Sequence, residues 1–86
     1  MQKSTHTPLY DAFRARMVSL RKNAGMSQRD LAKRLDVPRS FVSRIELGER
    51  RLDLVEVYWL CNALGVCPMD IAIQCMKEFK RLEKAR

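Results

Sequence analysis

The placement of the three glycines constrains the fold of this chain more than any other feature of its sequence. Each glycine follows a stretch in which apolar residues recur three and four positions apart, the spacing of one helix face. No stretch of strand length alternates Val, Ile or Thr with polar residues. Gly25, Gly48 and Gly65 stand where a helix would end in a left-handed residue, which glycine adopts at least cost. The sequence therefore predicts an all-α fold.

Start signals complement these stops and predict five helices. A Ser, Thr or Asp side chain can accept the free amide groups of a first helical turn, and proline fits there because it lacks an amide hydrogen. The first, third and fourth helices should end at the glycines, the second should span about 28–35 and the last about 68–84. The start signals are Thr7 with Pro8, Ser27 with Asp30, Pro38, Asp53 with Glu56, and Pro68 with Asp70.

One apolar face per helix is expected to build the core of a single domain. That domain should span 8–86, with its core at 13–66 and a disordered segment at 1–7. The expected core residues are Leu9, Phe13, Met17, Leu20 and Ala24 in the first helix; Leu31, Ala32, Leu35, Val37, Val42 and Ile45 around the second and third; Leu54, Val57, Tyr58, Cys61 and Leu64 in the fourth; and Ile71, Ala72, Cys75, Met76, Phe79 and Leu82 in the last.

Several classes of function are disfavoured by the residue content. The chain offers one histidine, His6, and no glycine-rich phosphate loop or nucleophile motif, so we expect no enzyme activity and no cofactor. Its three cysteines form no C-x-x-C pair and are expected to be reduced thiols in or near the core, not metal ligands. Neither a signal peptide nor a membrane span is recognisable, which predicts a cytoplasmic protein.

The charge of the chain is concentrated in one part of the sequence. The formal net charge is +7, and the segment from Arg14 to Arg51 accounts for all of it, with 11 basic and four acidic residues. Such a bias favours a polyanionic partner, although solubilising arginines are an equal alternative for Arg14, Arg16 and Arg34.

Two short helices and a tight turn within this basic segment form a helix-turn-helix pattern. It runs from Ser27 to Gly48 with the sequence SQRDLAKRLDVPRSFVSRIELG. A turn of about three residues forces the two helices to cross steeply, and the small side chain of Ala32 lets them approach. On the outer face of the second of these helices, Arg39, Ser40, Ser43 and Arg44 follow an i, i+1, i+4, i+5 spacing.

From about Leu20 to Val66 the sequence resembles the Cro/lambda-repressor family of helix-turn-helix proteins, also called the xenobiotic-response-element (XRE) type. The matching motifs are LRKNAGMSQRDLA at 20–32, VSRIELGERR at 42–51 and ALGV at 63–66. The resemblance implies a five-helix DNA-binding domain, a double-stranded operator as partner, and a dimer that represses or autoregulates transcription. No small-molecule ligand is implied.

The resemblance also implies roles for individual residues. Gln28 matches a position that grips a DNA phosphate, and Glu46 matches a glutamate that pairs with an arginine of the first helix, here Arg21. Arg39, Ser40, Ser43 and Arg44 match the base-reading positions, and Arg29, Arg50 and Arg51 are further candidates for phosphate contacts.

Three residues depart from the pattern of the family. Pro38 stands where Ser or Thr is usual, and Asp36 stands where Gly or Asn is usual, so the cap of the third helix and the turn conformation are open. Phe41 is also unusual. It could touch a thymine methyl group or pack against the domain.

Apolar residues outside the expected core suggest a further surface. Trp59 should face outward, and Met69, Ile73 and Met76 extend the apolar character of the last helix to a second face. We expect these four residues in a homodimer interface. Two alternatives remain: they complete the core of a monomer, or the chain is an antitoxin or adaptor whose C-terminal helix binds another protein.

Overall fold

The computed structural model describes residues 7–85 as five α-helices and no strand, which confirms the all-α prediction for this part of the chain. The segment expected to be disordered lies outside the described residues, except for Thr7, and so does His6. The helices are α1 (Pro8–Asn23), α2 (Gln28–Leu35), α3 (Arg39–Glu46), α4 (Leu54–Leu64) and α5 (Pro68–Lys84).

Side-chain caps begin three of the helices, as the sequence predicts. The Thr7 hydroxyl accepts the amide of Tyr10 at 3.2 Å. Reciprocal capping boxes join Ser27 to Asp30 at α2 and Asp53 to Glu56 at α4. Because each box satisfies two amide groups that a first helical turn leaves unpaired, it fixes where the helix begins.

The α2–α3 turn has an aspartate, not a glycine, in the left-handed conformation. Gly25, Gly48 and Gly65 have positive φ, as predicted, and Asp36 is the one non-glycine residue of the described chain that does, with φ +56°. Pro38 precedes α3 but supplies no side-chain cap. Of the two departures from the family pattern at this turn, Asp36 therefore adopts a left-handed conformation like the three glycines, and Pro38 leaves α3 without a side-chain cap.

The helices surround one core, in which α2 packs on α3 and α4, and α1 packs on α3 and α5. The prediction for α4 was partly wrong: Leu54 and Tyr58 are 82% and 55% exposed, and Leu60 is buried instead. Val57, Leu60, Cys61 and Leu64 follow the i, i+3, i+4, i+7 spacing, so Tyr58 lies one step around the helix from this face. Ala24, Ala72 and Met76 are likewise exposed, contrary to expectation.

The cysteines are free thiols. Cys61 and Cys75 belong to the core, and burial raises the pKa of both thiols. Cys67 is exposed, directly before α5. Two of the three thiols therefore pack as small apolar residues, and the third does not.

No single helix between residues 7 and 85 combines the length and apolarity of a membrane span. The helices α4 and α5 meet that criterion only as a pair, with a bend of 119° between them.

The left-handed conformation of Asp36 yields a test of stability. Replacing Asp36 by valine should lower the free energy of unfolding by about 1 to 2 kcal/mol, because a β-branched side chain is strained at positive φ. Asp36→Gly removes the same carboxylate without this strain and should not show the loss. Urea denaturation of the three proteins measures the difference, and equal stability of the valine and glycine variants would contradict it.

Candidate nucleic-acid interface

The carboxylate of Glu46, in the last turn of α3, joins three helices. Arg21 of α1 donates from Nε to Oε2 at 2.6 Å and from Nη2 to Oε1 at 2.9 Å. Gln28 of α2 donates from Nε2 to the same Oε1 at 3.0 Å. The side chains of Arg21 and Glu46 are only 10% and 12% exposed. The ion pair predicted from the resemblance therefore forms, and it includes Gln28 as a third member.

The ionisation of this group follows from its contacts. Burial by itself would raise the pKa of Glu46, but the hydrogen bonds from Arg21 and Gln28, together with the positive charges of Arg21 and Lys22, hold that pKa below its usual value. The hydrogen bond to Glu46 raises the pKa of Arg21, against the opposing effect of burial. Both groups are therefore charged at neutral pH, and each stabilises the other.

A second arginine of α1 holds the backbone at the end of α3. Arg14 donates from Nη1 to the carbonyl oxygen of Glu46 at 2.8 Å, and it lies 3.6 Å from a carboxylate oxygen of Asp11. The last carbonyl groups of a helix have no partner within the helix, so a cation at this position is doubly favourable. Arg14 is therefore not merely solubilising. Together with Arg21 it fixes the orientation of α3 on α1.

The side of α3 that faces solvent carries the residues that the resemblance assigns to base reading. Arg39, Ser40 and Arg44 are exposed and Ser43 is half-buried. The Ser43 hydroxyl donates to the carbonyl oxygen of Ser40 at 3.3 Å. Within residues 7–85, the side chains of Arg39 and Arg44 form no hydrogen bond or ion pair. Their guanidinium groups are therefore available to a ligand, and the helix that carries them is held from behind.

The four candidates for phosphate contacts differ in whether their side chains already have a partner within the chain. Arg29 is exposed and forms no hydrogen bond or ion pair with the described residues. Gln28 already uses one of its amide hydrogens on Glu46. The guanidinium carbon of Arg51 lies 4.6 Å from the centre of the Tyr10 ring.

Arg50, the fourth candidate, is held within the chain. It donates from Nη1 and Nη2 to both carboxylate oxygens of Glu56, at 3.0 and 2.6 Å, and stacks on Phe41 with 4.6 Å between the guanidinium carbon and the ring centre. Glu56 also closes the capping box of α4. This pair anchors the α3–α4 loop to α4, so phosphate binding by Arg50 stays a prediction that must compete with an internal partner.

Two aromatic residues support this loop: Phe41, for which the sequence left two alternatives open, and Tyr10, which the sequence prediction missed. Phe41 is half-buried against the core and covered by Arg50, so the alternative of packing against the domain is the arrangement found. Tyr10 is only 7% exposed, and its hydroxyl accepts the amide of Leu52 at 2.9 Å. Leu9 was predicted from the sequence to lie in the buried face of α1, and Tyr10 was not included. The signal was present, because Tyr10 and Phe13 follow the spacing of one helix face.

Other arginines of the basic segment also serve the fold. Arg16 donates to Gln74 at 2.9 Å and to Glu78 at 3.0 Å, which joins α1 to α5. Arg34 donates to the carbonyl oxygen of Ala63 at 3.0 Å, which joins α2 to the end of α4. No three His, Cys, Asp or Glu side chains of the described part come together as metal ligands.

Comparisons with known proteins agree with this geometry. The profile of the family described as helix-turn-helix matches residues 18–71. Control protein C.BamHI of Bacillus amyloliquefaciens is 38% identical over 58 residues, which cover 67% of this chain and 70% of that protein.

Two solved structures share the fold. An XRE-family like protein from Pseudomonas syringae pv. tomato str. DC3000 superposes with a TM-score of 0.80 at 36% identity, covering 85% of this chain and 89% of that one. The clp gene regulator ClgR from C. glutamicum superposes with a TM-score of 0.70 at 26% identity, covering 85% and 95% respectively. Each of these similarities extends over most of both chains.

The contacts of Glu46 predict how stability depends on pH. Glu46→Gln should lower the free energy of unfolding by about 1 to 3 kcal/mol at neutral pH, because Arg21 is left buried without a counter-ion. The folded-state pKa of Glu46 lies below its unfolded value, so its contribution is present above about pH 4.3 and is lost as the pH falls through the lower folded-state value.

Urea denaturation of both proteins across this pH range measures the effect. The carboxyl groups of Asp30 and Glu56, whose pKa values are also lowered, occur in both proteins, so their contributions cancel in the difference. The two stabilities should converge in acid. A difference that is independent of pH would show that the charge of Glu46 has no part in it.

Proposed function

Because this chain belongs to the XRE-type helix-turn-helix family and is a DNA-binding transcriptional regulator, not an enzyme, we propose that it binds a palindromic operator as a homodimer and acts as a repressor or autoregulator. In this proposal α3 enters the major groove and reads base edges, while the start of α2 and the α3–α4 loop contact phosphates. The protein acts in the cytoplasm, where the operator is accessible.

The observation that carries the proposal is the state of the arginines on α3. Six arginines elsewhere in the basic segment have protein partners, whereas the side chains of Arg39 and Arg44 have none in the described chain. A guanidinium group that projects from a rigid helix is suited to a bidentate contact with guanine O6 and N7. Ser40 and Ser43 lie between them and are short enough to let the backbone approach the groove.

Contacts to phosphates are proposed for residues beside this helix. Arg29 supplies an unpaired cation at the start of α2, and Gln28 retains an amide hydrogen and its carbonyl oxygen. The first amide groups of α2 add a partial positive charge. Arg51, and Arg50 in competition with Glu56, would contribute from the loop. These contacts position the domain on the duplex without reading its sequence.

The experiment that tests the function is selection of bound sequences from a random duplex pool at near-physiological salt, followed by footprinting of the selected duplexes. We expect an inverted repeat whose half-site centres lie about one helical turn, roughly 34 Å, apart. Retention that follows salt concentration alone, with no sequence enriched, would contradict specific regulation.

Base readout and phosphate contact predict different mutant behaviour. Arg39→Ala should weaken binding to the selected operator by about 1 to 3 kcal/mol and relax preference at one base pair. Arg29→Ala should weaken binding to all sequences alike and reduce the salt dependence by about one ion. Arg29 serves this comparison better than Gln28, because Gln28→Ala also removes a hydrogen bond from Glu46.

Titrations of operator and scrambled duplexes with both variants, over a range of salt concentrations, measure these effects. If the affinity and base preference of the Arg39→Ala protein equal those of the wild type, Arg39 does not read a base.

The dimer is proposed on the outward faces of α4 and α5. Trp59, Met69, Ile73 and Met76 are all more than half exposed, between 54% and 73%. Val55 and Tyr58 are further exposed apolar side chains of α4, and the exposed apolar side chains of α4 and α5 are called the patch. Exposed apolar side chains concentrated on adjoining helices are typical of a protein interface, and a two-fold dimer presents two copies of α3 to a palindrome.

Placing a charge on this surface tests the dimer. Ile73→Glu should weaken self-association about tenfold or more, since a carboxylate would be buried without a partner. Ser19→Glu, at an exposed position of α1, adds the same charge outside the patch and should leave association unchanged. Sedimentation equilibrium measures both. If Ile73→Glu associates like the wild type, the interface lies elsewhere.

The same patch favours a second candidate function, an antitoxin or adaptor whose C-terminal helix binds another protein. The discriminating result is a wild-type chain that remains monomeric in sedimentation and enriches no operator. That pair of results would assign the patch to a different protein partner.

A further inference from the structure

One large exposed apolar side chain does not belong to the two helices that carry the proposed dimer surface. Within the described residues eight large hydrophobic side chains are exposed, and seven of them belong to α4 and α5. The eighth is Leu47, the residue that follows α3, and it is 65% exposed. Singly exposed hydrophobic residues are common on protein surfaces, so the informative feature of Leu47 is its position at the end of α3, on the helix that carries Arg39 and Arg44.

Leu47 continues the reading face of α3. Its backbone remains helical, with φ −80° and ψ −6°, and its amide donates to the carbonyl oxygen of Ser43 at 2.9 Å. Ser40, Ser43, Arg44 and Leu47 therefore follow the i, i+3, i+4, i+7 spacing of a single helix face. The apolar side chain is the last member of a stripe whose other members are hydroxyl groups and a guanidinium group.

The length of this stripe matches several base pairs. Seven residues of α-helix separate Ser40 from Leu47, a rise of about 10.5 Å. Stacked base pairs rise about 3.4 Å each, so Leu47 reaches roughly three base pairs beyond the position of Ser40 if the helix lies along the groove. The two residues thus face different steps of one half-site.

The major groove offers a leucine one kind of partner. Base edges there carry hydrogen-bond donors and acceptors, which a leucine cannot satisfy, and the C5-methyl group of thymine, which it can contact favourably. Removing both groups from water stabilises the complex, whereas a cytosine at that place would leave its amino group without a partner.

We propose that Leu47 is a specificity-determining residue that selects a 5-methylated pyrimidine, thymine in ordinary DNA, at one end of each half-site. This inference rests on the proposed operator binding and adds to it an apolar contact beside the contacts of the arginines. It predicts that one thymine per half-site is recognised through its methyl group alone.

The test uses the operator obtained by selection and replaces its thymines one at a time by uracil, which lacks only the methyl group. Symmetric replacement at the contacted position should weaken binding of the wild type about three- to fivefold per half-site, and replacement at other thymines should have a smaller effect. Leu47→Ala should weaken binding to the thymine operator by a similar factor and should not distinguish thymine from uracil at that position.

Leu54→Ala provides the matched control. Leu54 is an exposed leucine of α4, outside the α3 stripe, so its removal should leave the sensitivity to uracil intact. An operator with 5-methylcytosine in place of the contacted thymine should bind the wild type better than an operator with cytosine there. The Leu47→Ala protein should lose this preference.

The failures are distinguishable. If no operator is enriched, the proposed function fails before Leu47 is tested. If an operator is bound specifically but Leu47→Ala and the wild type respond equally to uracil at every thymine, the inference about Leu47 is overturned. A Leu47→Ala protein whose self-association weakens while its uracil response is unchanged would likewise overturn it, and would assign Leu47 to the dimer surface.

Discussion

The carboxylate of Glu46 is the contact on which the arrangement of the helices depends most. The helix α3 has eight residues and lacks a side-chain cap, so it would not persist in isolation. Three N–H groups from Arg21 and Gln28 converge on its last side chain, and a fourth from Arg14 takes its last carbonyl oxygen. Packing of Val42 and Ile45 holds the opposite side. These contacts on the buried side of α3 determine which of its faces is exposed to solvent.

The local features of this fold could be predicted from the sequence, because they depend on residues close together in the chain. The caps at Ser27 and Asp53 and the glycine stops are of this kind. The buried face of α4 could not, since nearly every residue of that helix is apolar and the pattern does not choose between faces. Neighbouring helices make the choice, which is how Leu60 displaces Tyr58. The pair between Arg50 and Glu56 was missed for a related reason: it depends on the path of the loop.

The arginines illustrate how composition overstates the charge that is open to a ligand. A count over the basic segment treats every guanidinium group alike, yet Arg16, Arg34 and Arg50 are committed to contacts between elements of the fold. Arg16 and Arg50 each donate from two nitrogens of the planar guanidinium group, and a lysine could not reproduce both bonds with the same geometry. Within the basic segment, which the structure describes in full, the cations without a hydrogen bond or ion pair are fewer and lie mainly on α2 and α3. The exposed face of α3 could be predicted from the spacing of its residues. Which arginines have partners within the fold could not, because most of those contacts join residues far apart in the sequence.

The hydrogen bond between Gln28 and Glu46 has a consequence for the thermodynamics of association. A free glutamine side chain samples many rotamers, and immobilising it costs about 1.5 to 2 kcal/mol of conformational entropy. Here that loss has already occurred within the folded domain, at the same amide group that is proposed to meet a phosphate. The ordering is part of folding, so the encounter with a ligand proceeds without it. The entropic cost of ordering the Gln28 side chain is thus part of folding, which happens once, and is not repeated at each binding event.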